Sequence, residues 1–263
     1  WVSLGVMLVS RTAVSLRWHS LLHAAGAGNA RFSLADSLRI TYAGLFAANF
    51  LPTTIGGDVI RLAACLQLRF DAAVSAASLV VDRLIGMAGM ALVLPWGLAR
   101  LAQVGLPALS GLPLGGSVGA AAPTAPEPAL PSLAALAWMG RLRAQSFKLI
   151  RRILANFQLW ARSPRSLVLA LFFTFIHQAC LYMSIRLMLD GMGEPVGWLR
   201  IAGIWSLVYF ITLLPVSING YGLQEVSTTL LYAHLGGIST EAAAAVALLQ
   251  RVVQLAASLP GAF

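Results

Sequence analysis

The fold turns on the stretch AAVSAASLVVDRLIGMAGMALVLPWGL, residues 72–98. It is a continuous apolar run long enough to cross the hydrocarbon core of a bilayer, which takes about 20 residues as a helix. Only Asp82 and Arg83 interrupt its interior. A charged residue at the centre of a span costs about 2.5–3.5 kcal/mol on insertion scales. Neighbours in sequence point in different directions on a helix, so Asp82 and Arg83 cannot neutralise each other. Each needs a partner from another element.

The same texture extends outward. Trp1 to Leu16 is most of a span, with Arg11, Arg17 and Trp18 expected as interface anchors and a polar stretch from His19 to Ser33 behind them. Leu34 to Leu51 ends at Pro52, and Val59 to Phe70 reads as a short amphipathic half-helix. Further spans are expected over Leu167–Leu189, Val196–Leu214 and Ile238–Leu259, with a second short piece at Leu223–Leu235. That makes an all-α, polytopic membrane helix bundle of about six spans and two half-helices. Composition agrees: 59% of residues are hydrophobic and 10% charged, with a mean hydropathy of +0.81. A soluble domain carries about 25% charged residues, so lipid must cover much of this surface. Period-two alternation is absent, which excludes a membrane barrel. The chain starts at Trp1 inside an apolar run and stops at Phe263, so both ends read as cut from a longer protein and no signal peptide can be judged. Cys65 and Cys180 are too few and too far apart for a zinc site, and no structural disulfide is expected between them.

The spans fall into two membrane halves, 1–98 and 166–263, separated by two segments of different character. Residues 99–140 form a loop rich in Ala, Pro and Gly, where repeated prolines forbid an uninterrupted helix. Residues 141–165 read as a basic amphipathic helix in the headgroup region. They hold seven of the eighteen Lys and Arg residues and no acid. A formal net charge of +9 concentrated in this way follows the positive-inside rule and puts the segment on the cytoplasmic side, beside anionic lipid. Nucleic acid is not an expected partner, since that would call for a basic surface interleaved with exposed aromatics.

A repeated phrase marks the candidate site. Leu51-Pro52-Thr53-Thr54-Ile55-Gly56-Gly57 leads into Asp58, and Leu214-Pro215-Val216-Ser217-Ile218-Asn219-Gly220 leads through Tyr221-Gly222 to Glu225. Each copy ends a span and is trailed by an apolar helix with an interior arginine, Arg83 or Arg251, and then by a proline, Pro95 or Pro260. Broken helices leave backbone amides and carbonyls free, and in hydrocarbon these need protein or a water-filled cavity. Matching interruptions in two halves point to a transporter's central site, where restarting helices aim their amide dipoles at an anionic group. The candidate substrate-binding residues are therefore Asn49, Pro52, Thr53, Gly56, Gly57, Asp58, Arg61, Asp82, Arg83, Pro215, Asn219, Gly220, Tyr221, Gly222, Glu225 and Arg251. Arg83 and Arg251 are expected to pair with Glu225 and Asp58, with the assignment open. As plain local structure, Asp58 and Glu225 would cap helix N-termini, and Asp58 and Arg61, three apart, would pair with each other. His177, inside a span, is expected as an interhelical hydrogen-bonder.

No P-loop, His-Glu-x-x-His, Cys-x-x-Cys or Gly-x-Ser-x-Gly motif occurs, and Lys148 is the chain's single lysine. Nothing argues for an enzyme by itself, and no cofactor or metal is expected. Asn49-Phe50-Leu51-Pro52, Gly56-Gly57-Asp58-Val59-Ile60-Arg61, Asp82-Arg83-Leu84-Ile85-Gly86 and Ser217-Ile218-Asn219-Gly220-Tyr221-Gly222-Leu223-Gln224-Glu225 resemble the signature blocks of the lysylphosphatidylglycerol synthase transmembrane, or flippase-like, family. The resemblance implies a bacterial or archaeal inner-membrane protein that handles lipids. The separate soluble domain that attaches the amino acid in bifunctional relatives has no counterpart in these 263 residues, so synthase activity does not transfer. Family members usually carry another span before the basic loop, where this chain has its proline-rich segment. Without that span the two loops open on opposite faces, as an inverted repeat; with one, they open on the same face. Three functions follow as expectations: a lipid translocase, a membrane subunit presenting a lipid or polyprenyl-phosphate carrier to a partner transferase, and a membrane-embedded transferase using Asp58, Asp82 and Glu225.

Overall fold

The computed structural model describes residues 1–24, 32–51, 56–104, 160, 163–213 and 222–262. Among them all regular structure is helical: α1 (Val2–Ala24), α2 (Leu34–Ala48), α3 (Gly56–Gln67), α4 (Ala72–Val104), α5 (Pro164–Gly191), α6 (Trp198–Thr212), α7 (Leu223–Leu231) and α8 (Thr240–Ser258). A π-helical turn, Tyr232–Gly236, extends α7, and a 3₁₀ turn, Leu259–Ala262, extends α8. Most of the proline-rich and basic segments lie outside the described residues.

Three stretches are long and apolar enough to cross a membrane: Ala72–Val104, Pro164–Gly191 and Thr240–Ala262. The chain is an integral membrane protein. At 15 residues, the apolar α6 is about 22 Å long, less than a roughly 30 Å hydrocarbon core. The two expected short pieces are present as α3 and α7. The order of elements in 1–104 recurs in 164–262: a long helix, a 15-residue helix, a short helix and a long helix.

Local chemistry sets the boundaries. Ser33 Oγ accepts the Asp36 N–H at 3.2 Å while Asp36 Oδ2 accepts the Ser33 N–H at 3.0 Å, a reciprocal cap that starts α2. Ser239 caps α8 through the Ala242 N–H, and Pro164 opens α5 in the first turn, where its missing N–H is harmless. Gly237, with φ 73°, ends the turn after α7 in a left-handed conformation.

Two boundaries differ from expectation. Helix α4 passes through Pro95 and runs on to Val104, beyond Leu98. The next proline is Pro107, and Ala99-Arg100-Leu101-Ala102 are strong helix formers. Helix α1 continues to Ala24, because no glycine or proline intervenes before Gly26. Arg17 and Trp18 are consequently buried in protein rather than anchored at the interface.

The main core gathers Met7 of α1, Met90 of α4, Ile185 and Leu189 of α5, Ile201 and Ile204 of α6, Tyr232 and Val246. Leu84, Leu92, Phe172, Leu248 and Val252 face outward, as lipid contact requires. Apolar burial does not drive helix association in lipid, so close packing of small residues matters more. Helices α4 and α6 meet at Gly97 and Gly203, where a Cβ on Gly97 would lie 2.3 Å from the Gly203 carbonyl oxygen. Gly203→Val is expected to lower stability by about 1–3 kcal/mol through overpacking, read as a reduced thermal midpoint in detergent. A native midpoint would refute the crossing.

Candidate functional site

Asp82 and Arg83, adjacent in α4, acquire separate partners. Asp82, 4% exposed at its side chain, accepts Arg17 Nε at 2.7 Å on one oxygen and Arg61 Nη1 at 3.3 Å on the other. Arg61 Nη1 also lies 3.4 Å from Asp58 Oδ1, so the local Asp58–Arg61 pair exists as one link of a larger network. Arg83 Nε donates to Asp58 Oδ2. The result is an alternating chain, Arg17–Asp82–Arg61–Asp58–Arg83, joining α1, α3 and α4. Arg61 is held further by the face of Trp18, 4.3 Å from the ring centroid, and Trp18 Nε1 donates to Ser78 Oγ at 3.2 Å. Arg17 Nη1 donates to Thr174 Oγ1 at 3.2 Å on α5.

In the second half Arg251 Nε donates to Glu225 Oε1 at 2.7 Å, and Glu225 Oε2 accepts the Gly222 N–H at 2.8 Å. Glu225 thus caps α7 and pairs with α8 at once. Gly222 has φ 79°, a conformation that favours glycine. The open assignment is resolved: each arginine pairs with the acid of its own half, Arg83 with Asp58 and Arg251 with Glu225.

The glycines of the first phrase allow α3 to fold back on α2. A Cβ on Gly57 would sit 2.7 Å from the Gly44 carbonyl oxygen, and one on Gly56 would sit 2.5 Å from Leu51 Cβ. Asn49 closes α2, and its Nδ2 donates to Ser258 Oγ at 2.9 Å at the end of α8. The entrance to the first interruption therefore touches the second half. Pro52, Thr53, Pro215, Asn219, Gly220 and Tyr221 lie outside the described residues, so only the flanks of both interruptions can be placed.

A cavity of about 290 Å³ lies between the halves. Arg11, Arg83 and Met90 border it from α1 and α4. His177 and Leu181 come from α5, Trp205 and Tyr209 from α6, and Gln224 and Gln254 from α7 and α8. Thr212 and Leu213, which lead into the second interruption, also line it, as does Gln224 beyond it. His177 Nδ1 shares a 2.6 Å hydrogen bond with Ser10 Oγ of α1, the interhelical role expected of it. Arg83 also borders a shallow apolar groove between α3 and α4, lined by Asp58, Val59, Leu62, Ala76, Leu79 and Val80. Arg83 therefore stands at both an inner polar space and an outer apolar one, with its partner Asp58 on the outer side.

The sequence reading passed over Arg17 and Arg11 as interface anchors. A signal was available: Ser10 and Arg17 are seven apart, on one helix face, and both are buried. Arg11 borders the cavity. Chemically, the site offers guanidinium groups, neutral amides and the hydroxyls of Thr212 and Tyr209 beside aromatic and aliphatic walls. That combination suits an amphiphile with an anionic or polar head.

No curated protein and no solved structure matches the chain. The family model for the lysylphosphatidylglycerol synthase TM region matches residues 1–261, and the chain belongs to that family.

Proposed function

We propose that this protein binds and translocates an anionic or zwitterionic phospholipid across a bacterial or archaeal inner membrane, as a flippase-like transporter. The headgroup occupies the cavity between the halves while the acyl chains stay in lipid along the apolar groove beside Arg83. Residues 141–165 lie on the cytoplasmic side, and the recurring order of elements is an internal two-fold repeat. The carrying observation is the cavity itself, which is polar and cationic in part and walled from both halves beside the flanks of the second interruption. A polar space inside an apolar bundle is costly unless something polar uses it. The embedded-transferase reading is weaker, because Asp58, Asp82 and Glu225 are each engaged by arginine and none of them borders the cavity.

The test is translocation of fluorescent phosphatidylglycerol in liposomes carrying the purified protein. Labelled lipid is expected to become accessible to a membrane-impermeant quencher faster than in protein-free vesicles, with Asp58→Asn and Glu225→Gln slowing it. Equal rates with and without protein would remove the transport reading. Activity that requires an added membrane extract would favour a subunit serving a partner transferase.

A further inference from the structure

The charges facing the interior do not balance. Among the described residues Arg17, Arg61 and Arg83 share two carboxylates, Asp58 and Asp82, and Arg251 has Glu225. Arg11 has no carboxylate partner among the described residues, and its Nε is buried without a hydrogen-bond partner. The other described carboxylates lie elsewhere: Asp36 at Ser33, Asp71 at the start of α4, Asp190 with Arg186, Glu194 at Ser239, and Glu241 exposed in the first turn of α8. Neither interruption supplies an acid, since residues 52–55 read PTTI and 214–221 read LPVSINGY. The cavity is therefore bordered by two guanidinium groups, and no carboxylate borders it among the described residues. Uncompensated positive charge in a low-dielectric interior is strongly unfavourable unless an anion joins it.

We propose that Arg11 anchors the phosphate of a phosphate ester in this cavity, with Arg83 bordering the same space. The preferred ester carries no ammonium group, which makes it a net-anionic phospholipid of the phosphatidylglycerol class in the membrane. Guanidinium matches phosphate oxygens with paired N–H donors. Gln224, Gln254 and Thr212 offer neutral hydrogen bonds to a headgroup's hydroxyls. An ammonium on the headgroup would meet two arginines and no carboxylate among the described residues that line the cavity. The lipid part of this inference rests on the reading of the preceding subsection, whereas the phosphate site does not.

The experiment measures equilibrium binding to the purified full chain in an uncharged detergent. The probes are short-chain phosphatidylglycerol, its lysyl ester, dioctanoylglycerol and glycerol 1-phosphate. Phosphatidylglycerol is expected to bind, the lysyl ester at least about tenfold more weakly, and the phosphate-free diacylglycerol not at all. Arg11→Gln is expected to weaken phosphatidylglycerol binding by about tenfold or more, with Arg11→Lys keeping most of it. Native affinity in Arg11→Gln, or equal affinity for the lysyl ester, would overturn the proposal. Should Arg11→Gln fail to fold, phenylglyoxal modification of the native protein gives an independent reading. Phosphatidylglycerol should protect Arg11 and leave the exposed Arg200 reactive, and absence of that protection equally overturns the proposal. Glycerol 1-phosphate binding as tightly as the lipid would support the phosphate site and remove the lipid reading. Binding without translocation would keep the site and remove only the transport.

Discussion

Asp82→Asn is expected to be among the most destabilising single changes in the described part of this protein. It leaves two buried guanidinium groups facing an uncharged amide. Removing one partner of a buried ion pair costs about 3–5 kcal/mol, a large share of the roughly 5–15 kcal/mol that holds a typical folded chain together. Arg61 retains Asp58 and the face of Trp18. Arg17 retains only the neutral Thr174 hydroxyl among its described partners, so most of the loss falls on the contact between α1 and α4. The measurement is thermal unfolding and the monodisperse fraction in detergent. A companion variant carrying Arg17→Leu, Arg61→Leu and Asp82→Leu together should recover much of the stability, because well-packed apolar groups commonly replace a buried ionic cluster without loss. An Asp82→Asn protein that melts with the native one would show that this network holds nothing.

The second large effect concerns the pairs beside the interruptions. Arg251→Glu sets a carboxylate against Glu225 in a site where both side chains are mostly buried, and it should abolish lipid translocation and lower the melting temperature. Adding Glu225→Arg restores opposite charges across the same gap. Rescue should be partial, since an arginine at 225 cannot accept the Gly222 N–H, and a lost helix cap costs about 0.5–2 kcal/mol. The Asp58→Arg and Arg83→Asp swap should recover less. Arginine at 58 would stand beside Arg61, which lies 3.4 Å from the present Asp58 carboxylate, and like charges would replace a link of the chain. Mixed swaps across the halves, Arg83→Glu with Glu225→Arg, should rescue nothing, and recovery there would refute the pairing within halves.

Much of this arrangement was legible in the residues themselves. Asp82 and Arg83 are adjacent charges in an apolar run, so helical geometry alone demanded two different partners, and they have them. The short helices followed from amphipathic pieces behind Pro52 and Pro215. The pairing of Arg83 and Arg251 was not legible, because an acid lies within reach of each arginine in either arrangement until the helices are packed. Arg17 was misread for a different reason. An arginine near the end of an apolar run and followed by Trp18 and His19 looks like a membrane-interface anchor, and the signals against it were slight: Ser10 seven residues back on the same face, and no helix breaker before Gly26. The cavity could not be read at all, since it consists of space left among six helices.

Helix α8 holds both interruptions by their edges. Ser258 takes the amide of Asn49, where the first one begins, and Arg251 takes the carboxylate of Glu225, just past the end of the second. The two grips are seven residues apart, about 10 Å along one rod. Neither edge can shift relative to the other while both grips hold, so α8 works as a yoke: any tilt of it reaches the two sides of the molecule in the same instant.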